Sequence, residues 1–461
     1  MSTHIIPEAN YLMRMADGTI KQVNPFTGTE VWTVPGRGNR PLGVSAPNPA
    51  PLNPAEHDAY CPFCSRRYLE TPPEKARLIA TSHGVNTIRD LHAENLFDTV
   101  AEFRRIPNLF EIVSFDYWKK NFDYQMPEHI EAHKCDYLAS EMGRHHVLQV
   151  VDQRLTASGL DEADRYRLSI DERLQLANAF FGGGHELIVA RRHFIDGATH
   201  HNQLASSGAL TPEEHYEYMR FTIDALRDLY ANNRYVRYVA VFQNWLKQAG
   251  ASFDHLHKQL VAIDERGVQN DLALRRVREN PNIYNEAAVN FAAYHNLVVA
   301  ENDHAIAFAG FGHRFPTIEI FSKSERSQPW NHSVEELRGI SDLVHGCHAA
   351  AGSDIPCNEE WYYKPPDVDV SMPWRILIKW RVSTPAGFEG GTRIYVNTID
   401  PESLRDRVVP RLFQLKNEGK IALMNIAFEC ACIPNCLRYN SAVRQQETSD
   451  RANPAENVAT R

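Results

Sequence analysis

Short runs of hydrophobic residues, many alternating with polar ones, recur along the chain and predict a protein built from many strands. The runs of the first half are rich in β-branched and aromatic residues, which favour strands; they lie at 20–25, 30–34, 110–115, 186–190, 235–242 and 255–263. Five further runs in the second half predict strands at 296–300, 305–309, 317–321, 374–382 and 393–396.

Helical patterns stand between these runs. Thr211-Pro212-Glu213-Glu214 combines an N-cap residue, a proline at the first helical position and a glutamate at the third, which predicts a helix ending near Asn232. A second helix is predicted over 333–351, so that both halves have the order strand, strand, helix, strand, strand. This order is that of a diverged duplication. The polar, helix-like stretch 116–180 is interpreted as an insertion.

The predicted organisation follows from this order. Residues 1–115 and 181–275 form an N-terminal half, 116–180 a helical insertion and 276–440 a C-terminal half. The polar residues 441–461 are predicted to be a disordered tail.

Composition and charge exclude several classes of function. Hydrophobic residues make up 43% of the 461 residues, as in folded globular proteins, and the net charge of −9 argues against nucleic acid or an anionic membrane as the partner. The chain has neither a stretch of about 20 apolar residues nor a signal peptide after Met1. We therefore expect a cytoplasmic protein, whose eight cysteines are thiols or metal ligands rather than disulfides.

The segment from Asn244 to Gln259 carries the sharpest chemical signal. Gly250-Ala251-Ser252 predicts a small-residue turn whose backbone N–H groups can approach phosphate oxygens. In the extended segment that follows, the two-residue period sends His255, His257 and Gln259 to one face. A neutral, oriented imidazole is a good nucleophile toward phosphorus, and a glutamine can donate to a phosphate oxygen without adding charge. Partly buried structural histidines are the alternative interpretation.

Cys61-Pro62-Phe63-Cys64 has the spacing of half a zinc site. His193, His200 and His201 are candidates for the third ligand; we favour His193 because it follows the predicted strand 186–190 closely. The fourth candidate is His255. Two free structural cysteines, or a redox pair, are the alternatives.

Two other clusters are weaker. Arg37 and Arg40 flank Gly38 and could hold a diphosphate, although a solvated turn is the simpler interpretation. Cys430, Cys432 and Cys436 could bind a metal with His345, Cys347 or His348, but we assign no function to them.

Together these motifs resemble the galactose-1-phosphate uridylyltransferase family, a branch of the histidine-triad superfamily. Asn24-Pro25-Phe26-Thr27-Gly28 with Arg37 and Arg40-Pro41 is similar to its N-terminal signature, and Cys61-Pro62-Phe63-Cys64 to its zinc pair. The stretch 242–259 is similar to its active-site segment without a gap. The resemblance covers 24–80 and 185–263, is faint over 290–410, and is absent over 116–180 and beyond 410.

The resemblance implies an α+β fold in which two histidine-triad-like halves form one broad, mostly antiparallel sheet flanked by helices. It implies a homodimer that moves a nucleoside monophosphate, expected to be UMP, from a nucleoside-diphosphate sugar to a sugar 1-phosphate. In that reaction His257 attacks the α-phosphorus and becomes nucleotidylated, with a backbone carbonyl before it fixing its tautomer.

The implied roles of the other site residues follow by position. Gln259 and Ser252, in the turn with Gly250 and Ala251, hold the α-phosphate, and Arg37 and Arg40 neutralise the phosphates. Asn244 helps to position the active-site loop. A structural zinc is bound by Cys61, Cys64, His193 and His255.

Departures from the family pattern limit the substrate assignment. Leu256 stands where the family has proline, and Leu246 where it has glycine. A distal His-x-His of the family aligns with Leu377 and Lys379, so no second metal is expected there. The family's hexose-binding positions align with Gly387, Thr392, Arg393 and Ile399, which do not match, so galactose is not named. Arg393 could instead meet a more acidic acceptor.

Two rival functions remain open. A dinucleoside polyphosphate phosphorylase or hydrolase would use the same His257 with inorganic phosphate or water as the acceptor. A non-catalytic, zinc-stabilised nucleotide-binding protein would have no need of the nucleophile.

Overall fold

A computed structural model describes residues 11–36, 48–82 and 84–440. Its strands are β1 (Leu12–Arg14), β2 (Ile20–Val23), β3 (Glu30–Thr33), β4 (Ala76–Thr81), β5 (Gly84–Arg89), β6 (Phe103–Pro107), β7 (His185–Ala190), β8 (Tyr238–Trp245), β9 (His257–Ile263), β10 (Val298–Glu301), β11 (Ala305–Ala309), β12 (Thr317–Ser322), β13 (Cys357–Tyr362), β14 (Arg375–Trp380), β15 (Ile394–Asn397) and β16 (Asn425–Ile426).

The α-helices of the same residues are α1 (Phe115–Phe122), α2 (Glu128–Ala139), α3 (Glu141–Ala157), α4 (Glu162–Arg167), α5 (Ile170–Leu176), α6 (Asn178–Gly182), α7 (Pro212–Asn232), α8 (Val268–Glu279), α9 (Phe291–Tyr294), α10 (Val334–Ala351), α11 (Gly387–Thr392) and α12 (Pro401–Asn417). Among the described residues, no helix has the length and hydrophobicity needed to cross a membrane.

The chain divides into two compact units. Unit 1 draws on 1–44, 211–216 and 266–461, and unit 2 on 45–210 and 217–265. The predicted N-terminal half joins 1–44 to 45–115 and extends to 275, whereas the described part of 1–44, together with 211–216 and 266–275, belongs to unit 1. The reason is strand pairing, because β3 lies parallel to β15 and so joins unit 1.

Unit 2 contains six strands in the order β8-β9-β7-β6-β4-β5, and every neighbouring pair is antiparallel. Helix α7 covers one face, where the Tyr218 ring stacks on Phe103 with centroids 5.0 Å apart. The opposite face carries a small apolar cluster that includes Phe63, Ile106, Leu187 and Val189. The candidate site is built on that second face.

Helices α1 to α6 fill most of the stretch predicted to be a helical insertion. Apolar side chains of α2, α3 and α6, among them Tyr137, Val147, Val150 and Phe180, form a buried core of their own. His146 of α3 is 1% exposed and joins this core to the rest of unit 2. Its Nε2 lies 2.9 Å from the carbonyl oxygen of Thr71, and its Nδ1 lies 2.7 Å from the Tyr137 hydroxyl.

Among the described residues, the larger set of paired strands in unit 1 has six members in the order β16-β10-β11-β12-β14-β13, again antiparallel throughout. Helix α10 packs on β11 and β12 and against α12. A smaller sheet in the order β1-β2-β3-β15 belongs to the same unit.

The predicted fold class, α+β with mostly antiparallel sheet flanked by helices, is confirmed. The strand predicted over 110–115 is wrong, because the Ser114 hydroxyl caps α1 by accepting from the Tyr117 N–H at 3.1 Å. Strand β13 and helices α8 and α12 were not predicted. The predicted tail, 441–461, lies outside the described residues, as do Arg37 and Arg40.

Candidate active site

Four side chains of unit 2 meet in a buried group next to β9. Cys61 and Cys64 come from the loop before β4, His193 follows β7, and His255 precedes β9; all four are at most 6% exposed. The two Sγ atoms are 3.8 Å apart, and the Sγ–Nδ1 distances lie between 3.3 and 3.8 Å. His200 and His201 are not members of this group.

The spacing of these atoms can be compared with a metal tetrahedron. Zn–S bonds of about 2.3 Å and Zn–N bonds of about 2.0 Å give tetrahedral edges of roughly 3.8 Å for S–S and 3.5 Å for S–N. The observed distances match these edges. The hydrogen bond from the Cys61 thiol lowers the pKa of the Cys64 thiol, so the pair already favours one thiolate. The group can hold a metal ion, and its chemistry suits zinc.

His255 is held in a fixed orientation by the strand beside it. Its Nε2–H donates to the carbonyl oxygen of Ala190 at 2.6 Å, which directs Nδ1 toward the two thiols. The carbonyl oxygen of His255 in turn lies 2.7 Å from Nδ1 of His257. One residue therefore links the Cys2His2 group to the imidazole two positions further on.

His257 is 4% exposed at the start of β9, and burial lowers the pKa of its imidazole to about 4. The neutral ring must carry its proton on Nδ1, since that atom donates to the His255 carbonyl. The lone pair is then on Nε2, which makes no hydrogen bond to any described residue. This is the protonation state that a nucleophilic imidazole requires.

Gln259 lies two positions after His257 on β9. The orientation of its side-chain amide is determined by a histidine, His185, that the sequence analysis missed. The Ile112 N–H donates to Nδ1 of His185 at 3.2 Å, so the neutral His185 ring carries its proton on Nε2. That Nε2 lies 3.0 Å from Oε1 of Gln259, to which it donates, and also 3.0 Å from Nδ2 of Asn108. Because Oε1 is engaged, the amide NH2 of Gln259 remains available as a donor.

Burial keeps His185 neutral by lowering its pKa to about 4. A period-2 argument could have found this residue. His185 alternates with Leu187 and Val189 on β7, and these two pair with Gln259 and His257 across the ladder. Nearby, Glu111 accepts from the Phe115 N–H at 2.9 Å, and burial raises the pKa of its carboxyl to about 7. No sequence motif marks Glu111.

The end of β8 and the loop between β8 and β9 contain the other predicted site residues of the segment from Asn244 to Gln259. Asn244 Nδ2 lies 3.5 Å from the Gly250 carbonyl oxygen, and Gly250 has a φ of +92°. Ala251 is buried and Ser252 is exposed. No hydrogen bond joins Ser252 to His257 or Gln259 among the residues that the structure describes.

Leu246 shows the consequence of a missing glycine in this loop. Its φ of 66° and ψ of 155° fall in a region that side-chain-bearing residues rarely adopt. The strain is offset by burial, since the side chain is 6% exposed.

The C-terminal cysteines are arranged differently. Cys430, Cys432 and Cys436 are partly exposed, and burial raises the pKa of the Cys436 thiol to about 11. Among the described residues, only the Cys61 group brings three or more ligand atoms to metal-binding spacing.

Comparison with known structures defines the class of fold. An ADP-glucose phosphorylase from Arabidopsis thaliana, crystallised with bound ADP-glucose, superposes with a TM-score of 0.53 over 85% of this chain and 98% of its own, at 18% identity. A galt-like protein from Arabidopsis thaliana gives 0.51 over 77% and 92%, also at 18% identity. The predicted resemblance to the galactose-1-phosphate uridylyltransferase family is confirmed at the level of the fold.

Sequence comparison adds the family itself. Residues 15–439 match the family described as "Domain of unknown function (DUF4921)", and the chain belongs to that family. A curated ADP-glucose phosphorylase of Arabidopsis thaliana is 25% identical over 177 residues, which is 37% of this chain and 50% of that protein. The match thus spans only half the length of the curated relative.

Proposed function

We propose that the chain is an enzyme that transfers a nucleoside monophosphate from a nucleoside-diphosphate sugar through a covalent nucleotidyl-histidine at His257. The observation that carries this proposal is the state of His257. The ring is neutral, its Nδ1 proton is held by the His255 carbonyl, and its Nε2 lone pair is uncommitted. A histidine serving only to fill the core would have no need of an oriented lone pair.

In the first half-reaction Nε2 of His257 attacks the α-phosphorus. An N–P bond forms, the bond from the α-phosphorus to the bridging oxygen breaks, and the sugar 1-phosphate leaves with the electron pair. The imidazole then carries a positive charge, which the His255 carbonyl at 2.7 Å stabilises through Nδ1–H. The Gln259 amide donates to a non-bridging oxygen, and that interaction strengthens as charge develops in the transition state.

In the second half-reaction an oxygen of the acceptor phosphate attacks the same phosphorus, the N–P bond breaks, and His257 returns to its neutral form. The sequence-based roles of the remaining residues stand as part of the proposal: Arg37 and Arg40 neutralise phosphates, Ser252 with Gly250 and Ala251 holds the α-phosphate, and Asn244 positions the loop. A homodimer is also expected from the resemblance.

We further propose that Cys61, Cys64, His193 and His255 hold a structural zinc. The metal would fix His255, and through the His255 carbonyl it would fix the orientation of His257. The role of the metal would be structural. It would connect the loop that carries Cys61 and Cys64 to the residue that follows β7 and the residue that precedes β9.

The acceptor is a sugar 1-phosphate in our leading proposal, with UMP as the group transferred. A second candidate is a nucleotide-sugar phosphorylase, in which inorganic phosphate accepts the nucleotide. The similarity to an ADP-glucose phosphorylase over 177 residues favours this candidate and gives a reason to test adenine donors. Both candidates use the same first half-reaction.

An exchange experiment tests the proposal. The protein is incubated with UDP-glucose or ADP-glucose and radiolabelled glucose 1-phosphate, without another acceptor. A nucleotidyl-enzyme transfers the label into the nucleotide sugar, and His257→Ala abolishes this exchange while the exposed His200→Ala retains it. Absence of exchange with every nucleotide sugar tried, despite tight nucleotide binding, would contradict the proposal. Addition of inorganic phosphate then separates the acceptors, since a phosphorylase releases the nucleoside diphosphate.

A further inference from the structure

Unit 1 contains a cavity of about 340 Å³ that the proposed reaction does not use. One wall is β14, where Arg375, Leu377 and Lys379 alternate onto one face and Arg381 follows the strand. The loop 312–315 and the neighbouring strand β13 supply other parts of the lining. All lining residues belong to unit 1, whereas His257 and Gln259 belong to unit 2.

The cavity has more positive than negative charge. Lys379 pairs with Glu360 at 2.6 Å, and Arg375 lies 3.6 Å from the buried carboxylate of Glu319. Arg314 and Arg381 have no carboxylate within ion-pair distance in the part of the chain that the structure describes. Two guanidinium charges are therefore left without an anionic partner.

These two guanidinium groups converge on one aromatic ring. The Phe315 centroid lies 4.6 Å from the guanidinium carbon of Arg381 and 5.2 Å from that of Arg314. Burial and the charge of Arg314 lower the pKa of Arg381, as expected for like charges held together. The two guanidinium charges repel each other, and a bound anion would offset that repulsion.

Donor groups of these arginines are available to such an anion. One nitrogen, Nη1, of Arg381 donates to Asn358 at 2.7 Å, and its buried Nε has no hydrogen-bond partner. Nε of Arg375 is likewise buried without a partner, in a residue that is only 4% exposed. A buried, unpaired donor on a cation is costly unless an acceptor is supplied.

We propose that this cavity binds a small phosphate monoester, with the phosphate held by Arg314 and Arg381. A phosphate monoester carries about −1.5 to −2 charge at neutral pH, which matches the two unpaired guanidiniums, and its three terminal oxygens suit forked donors. Thr27, Thr29 and Gln269 in the lining offer hydroxyl and amide groups to a hydroxylated organic part. The volume lies within the usual range of small-molecule sites.

Hydrogen exchange with mass spectrometry tests this site by location, using glucose 6-phosphate as the probe. We expect millimolar probe to slow exchange in peptides covering 312–316 and 375–381, whether or not peptides near His257 respond. The variant Arg314→Gln/Arg381→Gln should bind at least about tenfold more weakly at these peptides, the effect of losing one charge-assisted hydrogen bond.

The controls separate this site from a general effect of charge. Arg278→Gln/Arg411→Gln removes the same charge from exposed positions of unit 1 and should leave the protection unchanged. Arg314→Gln alone, at an exposed position, serves if the double variant fails to fold. The proposal is overturned if the wild-type peptides show no protection, if the double variant retains it, or if succinate protects them as well as the phosphate monoester does.

Discussion

Replacement of His185 by phenylalanine tests whether this residue acts through Gln259. Phenylalanine keeps an aromatic side chain but removes the Nε2–H donor, whose nitrogen lies 3.0 Å from Oε1 of Gln259. In the wild-type protein, a flipped Gln259 amide would place NH2 against Nε2–H and lose that hydrogen bond. The loss costs about 1–3 kcal/mol, so the donor-outward amide is favoured roughly 5- to 150-fold.

The expected effect on rate follows from this preference. Without His185 the two orientations of the Gln259 amide should be populated about equally, and the side chain loses the hydrogen bond that holds it. Nucleotidylation should therefore slow by about 2- to 20-fold. Gln259→Leu removes the donor altogether, and the loss of a charge-assisted hydrogen bond of about 1.5–3 kcal/mol slows the step by roughly 10- to 150-fold.

A double-mutant cycle supplies the decisive comparison. The assay is the single-turnover rate of nucleotidyl-enzyme formation, followed by intact mass below the melting temperature of each variant. In the Gln259→Leu background, His185→Phe should have almost no further effect on this rate. If His185→Phe slows the step by the same factor in both backgrounds, His185 acts through the fold and not through Gln259.

Cys64→Ser should reduce bound zinc from one equivalent per chain to near zero, as measured by elemental analysis, and should lower the melting temperature. Cys135→Ser, at an exposed position, should leave both quantities unchanged. Equal zinc contents in the two variants would show that Cys64 is not a zinc ligand. Burial lowers the pKa of His146 from 6.5 to about 4, so the folded state favours the neutral ring. The free energy of unfolding should therefore fall by about 3 kcal/mol as the pH falls from 6.5 to 4. The free energy of unfolding, measured with urea, should depend less on pH in His146→Gln than in the wild-type protein, whereas the exposed His129→Gln should behave like the wild type. The same pH dependence in both variants would refute this prediction. Because burial raises the pKa of Glu111 from 4.5 to about 7, the folded state favours its protonated form, so Glu111→Gln should stabilise the protein at pH 8 and have little effect at pH 4.5. Equal effects at both pH values would contradict that shift.

The sequence predicted the parts of the site whose geometry is local. A strand period of two places His257 and Gln259 on one face, and a Cys-x-x-Cys loop fixes two thiols at chelating distance, whatever the rest of the fold does. The strands β11 and β12 and the capped helices α7 and α10 were predicted for the same reason, since their signals lie within a few consecutive residues.

The parts that could not be predicted depend on distant pairings. His185 meets the site only because β7 pairs with β9 and because the Ile112 N–H reaches its ring, and no motif encodes either contact. The assignment of β3 to unit 1 rests on its parallel pairing with β15, more than 350 residues away in the chain. Arg314 and Arg381 are also not neighbours in the chain, and only the fold brings them to one ring.

Intact-mass measurement shows directly whether His257 becomes nucleotidylated. The purified protein is mixed separately with UDP-glucose, UDP-galactose, ADP-glucose, GDP-mannose and diadenosine tetraphosphate, each without an acceptor, beside His257→Ala. We predict an acid-labile gain of one nucleoside monophosphate on the wild-type protein alone, with a mass that names the base. Nucleotide binding without any adduct, or an adduct that persists in His257→Ala, would show that His257 is not a covalent nucleophile.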